Sequence, residues 1–152
     1  MSGRGVDPDL AFVLHDGVPE EAGRIVDSGL GASNENAAPL HEVERLSCFA
    51  RKPSGELIGG AVGRTWGECC ELQQLWVDSA HRRRGVASEL VRRFEARARE
   101  RGCRTFYLET FSFQAPGLYR RLGYEVGLEL RGFRPGVVKY VMVKRADAAP
   151  TP

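Results

Sequence analysis

Strand-like alternation of apolar and polar positions marks the first half of the chain. Residues 43–51 alternate in this way, turn-forming residues follow at 53–55, and a glycine-rich apolar run at 57–62 completes a predicted hairpin. A third strand is predicted over residues 69–77, so that the three strands form an antiparallel meander. A short apolar run at residues 10–14 is a candidate edge strand.

An early helix is predicted to begin at Pro19, because proline favours the first helical turn and two glutamates follow it. Its apolar side chains recur at helical spacing, at Ala22, Ile25, Val26 and Leu30. Gly29 and Gly31 are expected to end this helix, and the polar residues 33–39 are interpreted as a loop or a broken helix.

The apolar period changes to that of an amphipathic helix after Gly85. The apolar positions of this helix form one stripe, at Val86, Ala87, Leu90, Val91, Phe94 and Ala98. The helix is expected to end near Gly102. The remaining predicted elements are a strand, a short helix and two strands, at residues 105–110, 114–122, 124–130 and 137–144.

Length and composition indicate a single folded domain. The chain has 152 residues, of which 42% are hydrophobic and 28% are charged, enough apolar material for a core. We expect one domain at residues 10–145, a flexible N-terminus at 1–9 and a disordered tail at 146–152. The N-terminus has no apolar leader segment and no apolar run is long enough for a membrane span, which predicts a cytoplasmic protein with no membrane partner.

Cysteine and histidine usage gives no indication of a metal site. The four cysteines contain no C-x-x-C pair, and the three histidines are scattered without ligand spacing. No metal site is therefore predicted.

Charge is segregated along the chain although the net charge is only +2. Residues 1–81 carry 6 basic and 13 acidic side chains, whereas residues 82–104 carry 9 arginines and 3 glutamates. A single basic block favours a local anion site over a surface that coats nucleic acid.

The basic block begins between a predicted strand and a predicted helix, where Arg82, Arg83 and Arg84 precede Gly85. Such a loop directs unpaired backbone N–H groups and the positive end of the helix toward one point, which suits an anion. Gly85 allows close approach of a phosphate. The loop matches neither the nucleoside-triphosphate nor the dinucleotide glycine motif. Taken alone, the arginines are also compatible with a solvated charge run.

Two ordered motifs resemble the GNAT superfamily of N-acetyltransferases. Residues 82–87, RRRGVA, fit the acetyl-CoA loop [Q/R]-x-x-G-x-[G/A], and residues 115–124, APGLYRRLGY, are similar to the signature A-x-x-x-Y-x-x-x-G-[FY]. The resemblance implies an α/β GNAT fold. Its sheet would be mixed but mostly antiparallel, with a splayed parallel pair of central strands and about four flanking helices.

The resemblance also implies acetyl-CoA as co-substrate. Main-chain groups of Leu75, Trp76 and Val77 would contact pantetheine, and the Val77 N–H would polarise the thioester carbonyl. The predicted cofactor-binding residues of the phosphate loop are Arg82, Arg83, Arg84, Gly85, Val86, Ala87 and Ser88. Many family members have a cofactor-contacting asparagine where this chain has Ser112. Ser112 and the nearby Gln114 are the candidates for that role, and loss of the contact is the alternative.

The implied chemistry is direct acetyl transfer. Tyr119 matches the family's general acid, which protonates the departing thiolate and also contacts the cofactor. Glu71 aligns with a position where some members keep a basic glutamate, and Glu109 at the end of the neighbouring strand competes with it. An ordered water is the third alternative for the base.

Three functions are therefore compared for this chain. An N-acetyltransferase acting on a primary amine of a small molecule or peptide is the leading prediction. A non-catalytic acyl-CoA-binding domain is the alternative, and nucleic-acid binding is disfavoured because Glu89 and Glu95 would pair with Arg93 and Arg99. The acceptor would be shaped by residues 28–41 and 131–136. Family members often form dimers, which this sequence neither supports nor opposes.

Overall fold

The structure is a computed structural model that describes residues 5–146. These residues contain six strands, β1 (Glu44–Arg51), β2 (Leu57–Trp66), β3 (Cys69–Val77), β4 (Thr105–Phe111), β5 (Glu125–Leu130) and β6 (Lys139–Arg145). The helices are α1 (Glu20–Ala37), α2 (Val86–Glu100) and α3 (Pro116–Arg121), with short 3-10 turns at Leu40–Glu42 and Ser79–His81.

The six strands form one sheet in the order β1-β2-β3-β4-β6-β5. All neighbours are antiparallel except β3 and β4, which are parallel and joined by the crossover through α2. This confirms the predicted mixed sheet with one parallel central pair, and β1 to β3 form the predicted meander. Three α-helices are described, where about four were expected.

The pairing of β3 with β4 stops halfway along β3. Pairs run from Cys69 with Thr105 to Leu72 with Leu108, and the next residue, Gln73, is a bulge against β2. Gly63 makes this bulge feasible, because a Cβ there would collide with the carbonyl oxygen of Glu71. A bulge bends its strand. The second half of β3 therefore diverges from β4, as the fold prediction required.

Helix α2 packs its apolar stripe on one face of this sheet. Leu90, Val91, Phe94 and Ala98 are buried, in agreement with the predicted helical period. They meet buried side chains of the central strands, among them Leu72, Phe106, Leu108 and Met142. The core thus lies on the face of the sheet that carries α2 and α3.

Glu95 departs from the sequence interpretation, which grouped it with the solvated glutamates of this helix. Its side chain is only 2% exposed and accepts a hydrogen bond from the Tyr124 hydroxyl at 2.9 Å. Its carboxylate also binds Lys144 Nζ at 2.9 Å and the predicted partner Arg99 at 3.4 Å. Partners supplied by α2, by β6 and by the residue preceding β5 compensate for burial of the charge. The helical pattern alone does not reveal these partners.

The exposed face of α2 carries the expected pairs. Glu89 lies 2.7 Å from Arg93, and Arg97 lies 2.7 Å from Glu100. These side chains are solvent-exposed and bind one another.

The chain divides into two compact units after Leu40. In the first unit, α1 continues through Gly29 and Gly31 to Ala37, so the predicted helix end and the loop at 33–39 were wrong. A glycine inside a helix costs only about 1 kcal/mol and does not by itself end the helix. Residues 10–14 do not form the candidate edge strand.

The predicted domain limits remain predictions. The flexible N-terminus at 1–9 lies partly outside the described residues, and so does the tail at 146–152 except for Ala146. Within the described range, no helix combines the length and the apolar character needed to cross a membrane.

Candidate functional site

A cleft opens where β3 diverges from β4. Its volume is about 270 Å³, and we refer to it below as the cleft. The cleft is lined by Leu72, Gln73, Gln74, Leu75, Glu109, Thr110, Gln114, Ala115 and Tyr119. The sheet supplies its two walls and the start of α3 closes one side.

Backbone groups of β3 face into the cleft. The Asp78 N–H donates to Ile58 on the β2 side at 2.8 Å, and the pairing partners of Leu75 and Val77 are Ala61 and Gly59. Backbone groups of successive strand residues point to alternate sides. The N–H and C=O groups of Leu75 and Val77 therefore point away from β2, toward the space that β4 has vacated.

Tyr119 places a phenol in this cleft. Its ring is buried and packs edge-to-face on Tyr124, with ring centroids 5.9 Å apart. Burial raises the pKa of Tyr119 to about 12, so the phenol keeps its proton at neutral pH. Desolvation alone causes this shift, and no buried side-chain oxygen within residues 5–146 lacks a partner. Tyr119 is one of the residues that line the cleft.

A second cavity, of about 370 Å³, follows the cleft along β3 and α3. We refer to it as the arginine cavity. It is lined by Val77, His81, Arg82, Arg83, Gly85, Val86, Ala87, Ser88, Leu118 and Arg121. Three arginines and the N-terminal turn of α2 face it, while none of its lining residues is a carboxylate. This donor set suits phosphate.

The loop at the arginine cavity has an unusual backbone. Gly85 caps α2 with φ at 78°, and Arg83 has φ at 60°. Positive φ is uncommon for a residue with a Cβ and is found preferentially at ligand sites. Arg82 secures the loop to the strand, since its Nε donates to the carbonyl oxygen of Val77 at 3.1 Å.

The two candidate bases lie in different surroundings. Glu71 sits where β3 and β4 are still paired, opposite Tyr107, and its carboxylate binds Arg64 Nε at 2.8 Å. Glu109 lines the cleft together with Tyr119 and lies 3.4 Å from Lys139 Nζ. Glu71 lines neither the cleft nor the arginine cavity.

Comparison with known proteins bears directly on this geometry. Residues 21–124 match the family described as Acetyltransferase (GNAT) family. The chain belongs to the GNAT family. The match includes all residues that line the cleft and the arginine cavity, and it confirms the resemblance drawn from the two motifs.

Individual GNAT relatives cover most of the chain. It is 40% identical over 109 residues to the blasticidin-S acetyltransferase of Streptomyces morookaense, covering 71% of this chain and 78% of the relative. It is 32% identical over 115 residues to an acetyltransferase of Agrobacterium fabrum, covering 76% and 84%. The crystal structure of an acetyltransferase from Bacillus cereus superimposes with a TM-score of 0.75 at 26% identity, covering 88% of this chain and 97% of that one. The protein is thus an acetyltransferase of GNAT fold.

Most residues predicted as a GNAT cofactor site line one of the two spaces. Leu75, Gln114 and Tyr119 line the cleft, and seven residues line the arginine cavity, namely Val77, Arg82, Arg83, Gly85, Val86, Ala87 and Ser88. Trp76 and Ser112 line neither. Arg84 lines a separate groove between β1 and α2.

Ser112 and Gln114, the two candidates for the GNAT asparagine role, have structural partners. The Ser112 hydroxyl accepts a hydrogen bond from the Val138 N–H at 3.1 Å. Gln114 Oε1 accepts one from the Phe111 N–H at 2.8 Å, which holds the end of β4 at the cleft. Of the two residues, only Gln114 lines the cleft, and their roles toward the cofactor remain predictions.

Sequence reasoning missed Arg121 and His81, which both line the arginine cavity. Arg121 lies two residues beyond the signature tyrosine, at the end of a helix whose exposed and buried faces could not be assigned from six residues. His81 donates to the Asp78 carboxylate at 3.1 Å, and this hydrogen bond holds the pKa of Asp78 below its usual value. The position of His81 directly before the arginines was the only available indication.

Proposed function

We propose that this protein transfers the acetyl group of acetyl-CoA directly to a primary amine of a small molecule or peptide. The observation that carries the proposal is that Tyr119 lines the cleft, and that neighbouring residues of β3 and α3 line a cavity with three arginines. A proton donor beside an anion site is the arrangement that thioester aminolysis needs.

The residues fit acetyl-CoA in two parts. Arg82, Arg83 and Arg121, with the N-terminal N–H groups of α2, would hold the phosphates. The outward-facing backbone groups of Leu75 and the N–H of Val77 would hold the amide-containing pantetheine arm as an added strand, while the Val77 carbonyl stays bonded to Arg82. When bound, acetyl-CoA supplies an activated acyl group.

Three groups of the chain would then act on the reaction. The Val77 N–H, turned toward the cleft, stabilises negative charge on the acyl oxygen. Tyr119, protonated at neutral pH, donates its proton to the departing thiolate. A carboxylate accepts the proton that the incoming ammonium must lose.

Glu109 is better placed for this last role than Glu71. Glu109 shares the cleft with Tyr119, and its side chain is more than half exposed, so that an amine can reach it. Glu71 is engaged by Arg64 on a part of β3 that is closed by β4. We therefore assign the base to Glu109 and keep Glu71 as the competing candidate.

The alternative is a domain that binds acyl-CoA without transferring the acyl group. It is motivated by Ser112, which stands where many family members have an asparagine. Both functions would use the arginine cavity to bind acyl-CoA, but the alternative predicts no transfer of the acyl group to an amine.

The experiment combines binding with turnover. Acetyl-CoA is titrated by calorimetry, and release of free thiol is followed with a panel of amines that includes blasticidin S, after the named substrate of one relative. We expect saturable binding together with thiol release in the presence of at least one amine. Absence of binding at millimolar acetyl-CoA would overturn the whole proposal. Binding with no transfer to any amine would favour the alternative.

A further inference from the structure

Three phenylalanine rings cluster at the end of β4. Phe111 stacks on Phe113 with centroids 5.2 Å apart, and it meets Phe133 edge-on at 5.4 Å. Phe133 belongs to the connection between β5 and β6, the segment that sequence analysis associated with the acceptor. We call these three residues the phenylalanine cluster.

The cluster is not part of the hydrophobic core. Phe113 is 69% exposed and Phe133 is 49% exposed. Phe111 lies two residues after Glu109 and therefore on the same face of β4. The buried Phe106, Leu108 and Thr110 lie on the opposite face. Aromatic rings that pack together yet stay open to solvent mark a binding surface.

The cluster continues directly from the cleft. Glu109 and Thr110 line the cleft, and the Phe111 N–H is held by Gln114, another cleft residue. Lys139 bridges the two regions, because its Nζ lies 3.4 Å from Glu109 and 5.1 Å from the Phe111 ring centroid. The rings are therefore fixed next to the carboxylate to which we assign the base role.

We propose that the phenylalanine cluster receives a planar aromatic or heteroaromatic ring of the acceptor, so that the substrate class is aryl-bearing primary amines. The inference rests on the proposed function. The ring lies against Phe113 and Phe133 while the amine reaches Glu109. A second copy of the chain is a poorer occupant, because the charged Glu109 and Lys139 border the cluster and the buried cores of protein interfaces are depleted in such residues.

The test compares two amines that share a carbon skeleton. 2-Phenylethylamine has a flat ring and 2-cyclohexylethylamine has a puckered one, so apolar area is nearly matched while stacking differs. We expect the wild-type protein to prefer the phenyl compound by about two- to tenfold in kcat/KM. Phe113→Leu and Phe133→Leu should reduce this ratio to near one with the KM for acetyl-CoA unchanged. Trp66→Leu removes an exposed ring at the end of β2, where Trp66 pairs with the first residue of β3, and is the matched control.

Ligand-observed NMR titration of both amines gives a readout that does not need turnover. Preferential binding of the phenyl compound that depends on Phe113, without acetylation of these or any panel amine, would contradict the proposed function and support the aromatic subsite. Acetylation of both amines at equal efficiency, or a preference unchanged in Phe113→Leu, would overturn the subsite and leave the proposed function intact. Equal binding of the two amines by the wild type, or no binding of either, would also overturn the aromatic subsite. Dissociation of a dimer in Phe113→Leu with no change in preference would assign the rings to self-association.

Discussion

Tyr119 shows how one residue can serve both packing and chemistry. Its ring packs on Tyr124 within the core, and the residue also lines the cleft. Desolvation of the ring raises the pKa of the phenol to about 12, which keeps the proton available for donation. The motif A-x-x-x-Y predicts the identity of this residue, whereas the rise of its pKa from 10.0 to about 12 follows from burial.

Tyr119→Phe is expected to lower kcat by about 10²- to 10⁴-fold, because the departing thiolate loses its proton donor. The calorimetric Kd for acetyl-CoA should stay within about twofold, since the ring and its packing remain. Tyr140→Phe removes a hydroxyl outside both cavities and serves as the control. An equal loss of binding and turnover in Tyr119→Phe would mean that Tyr119 is structural.

Glu109→Gln is expected to lower kcat/KM for the amine by about 10²-fold at neutral pH. The loss should shrink as pH rises toward the pKa of the free amine, because a deprotonated nucleophile no longer needs a base. Glu71→Gln should leave the rate within about twofold and cost at most about 1 kcal/mol of stability, since it breaks a half-exposed ion pair. The reverse pattern in the two pH-rate profiles would assign the base to Glu71.

At the scale of elements, the connection from β3 to α2 builds the anion site. Asp78 caps the 3-10 turn at Ser79–His81 by accepting the Ala80 N–H at 3.1 Å. Gly85 then begins α2 in a left-handed conformation. The three consecutive arginines consequently diverge, with Arg82 and Arg83 at the arginine cavity and Arg84 at the groove beside β1. The spacing of a motif therefore predicts the loop but not the direction of each side chain.

Arg83→Ala and Arg121→Ala are each expected to raise the Kd for acetyl-CoA about tenfold or more, as removal of a charged hydrogen bond does. Arg84→Ala is the matched control and should change the Kd for acetyl-CoA by less than about twofold. The effect should weaken at high salt, where phosphate contacts are screened. S-acetylpantetheine lacks the nucleotide phosphates, so its KM should not change in any of the three variants. A loss as large in Arg84→Ala would contradict the assignment.

At the scale of the whole molecule, the core beside the sheet contains a buried carboxylate, Glu95. A thiol and a phenol, those of Cys70 and Tyr124, are buried near it. Glu95 joins α2 to Tyr124 and Lys144, and Cys70 lies in the same core. Burial raises the pKa of Cys70 from 9.0 to about 12, and the pKa of Tyr124 rises as well, mainly through burial and then through Glu95. The folded state therefore favours the protonated thiol and phenol.

This predicts a loss of stability at alkaline pH. The unfolded chain releases the Cys70 proton near its ordinary pKa of 9.0 while the folded chain retains it to about 12, so the stability is fully present below pH 9.0 and falls above it. One such group contributes a slope of about 1.4 kcal/mol per pH unit. Urea unfolding at pH 8 to about 10.5 should show this decline, and Cys70→Ala should flatten it by about that slope.

Cys69→Ala, which removes an exposed thiol, is the matched control for Cys70→Ala. An identical slope in the Cys70→Ala variant and the wild type would show that Cys70 does not titrate between the folded and unfolded states.

Much of this architecture could be predicted because its determinants are local. The limits of β3 were predicted without error, and the apolar stripe of α2 was confirmed, since both depend on side-chain periodicity within one element. The first helix was predicted less well. Two glycines were interpreted as its end, although their cost in a helix is small enough for α1 to continue to Ala37.

The sequence alone determined the family, the order of the elements from β1 to β6 and the identity of the loop and tyrosine motifs, because each depends on residues that are neighbours along the chain. Only the tertiary structure decided where β3 leaves β4, which arginines face the cavity, that Glu95 is buried and that Phe111, Phe113 and Phe133 meet beside Glu109. These features depend on how separate elements pack against one another in the folded chain. Their burial and orientation depend on the partner surface that folding supplies.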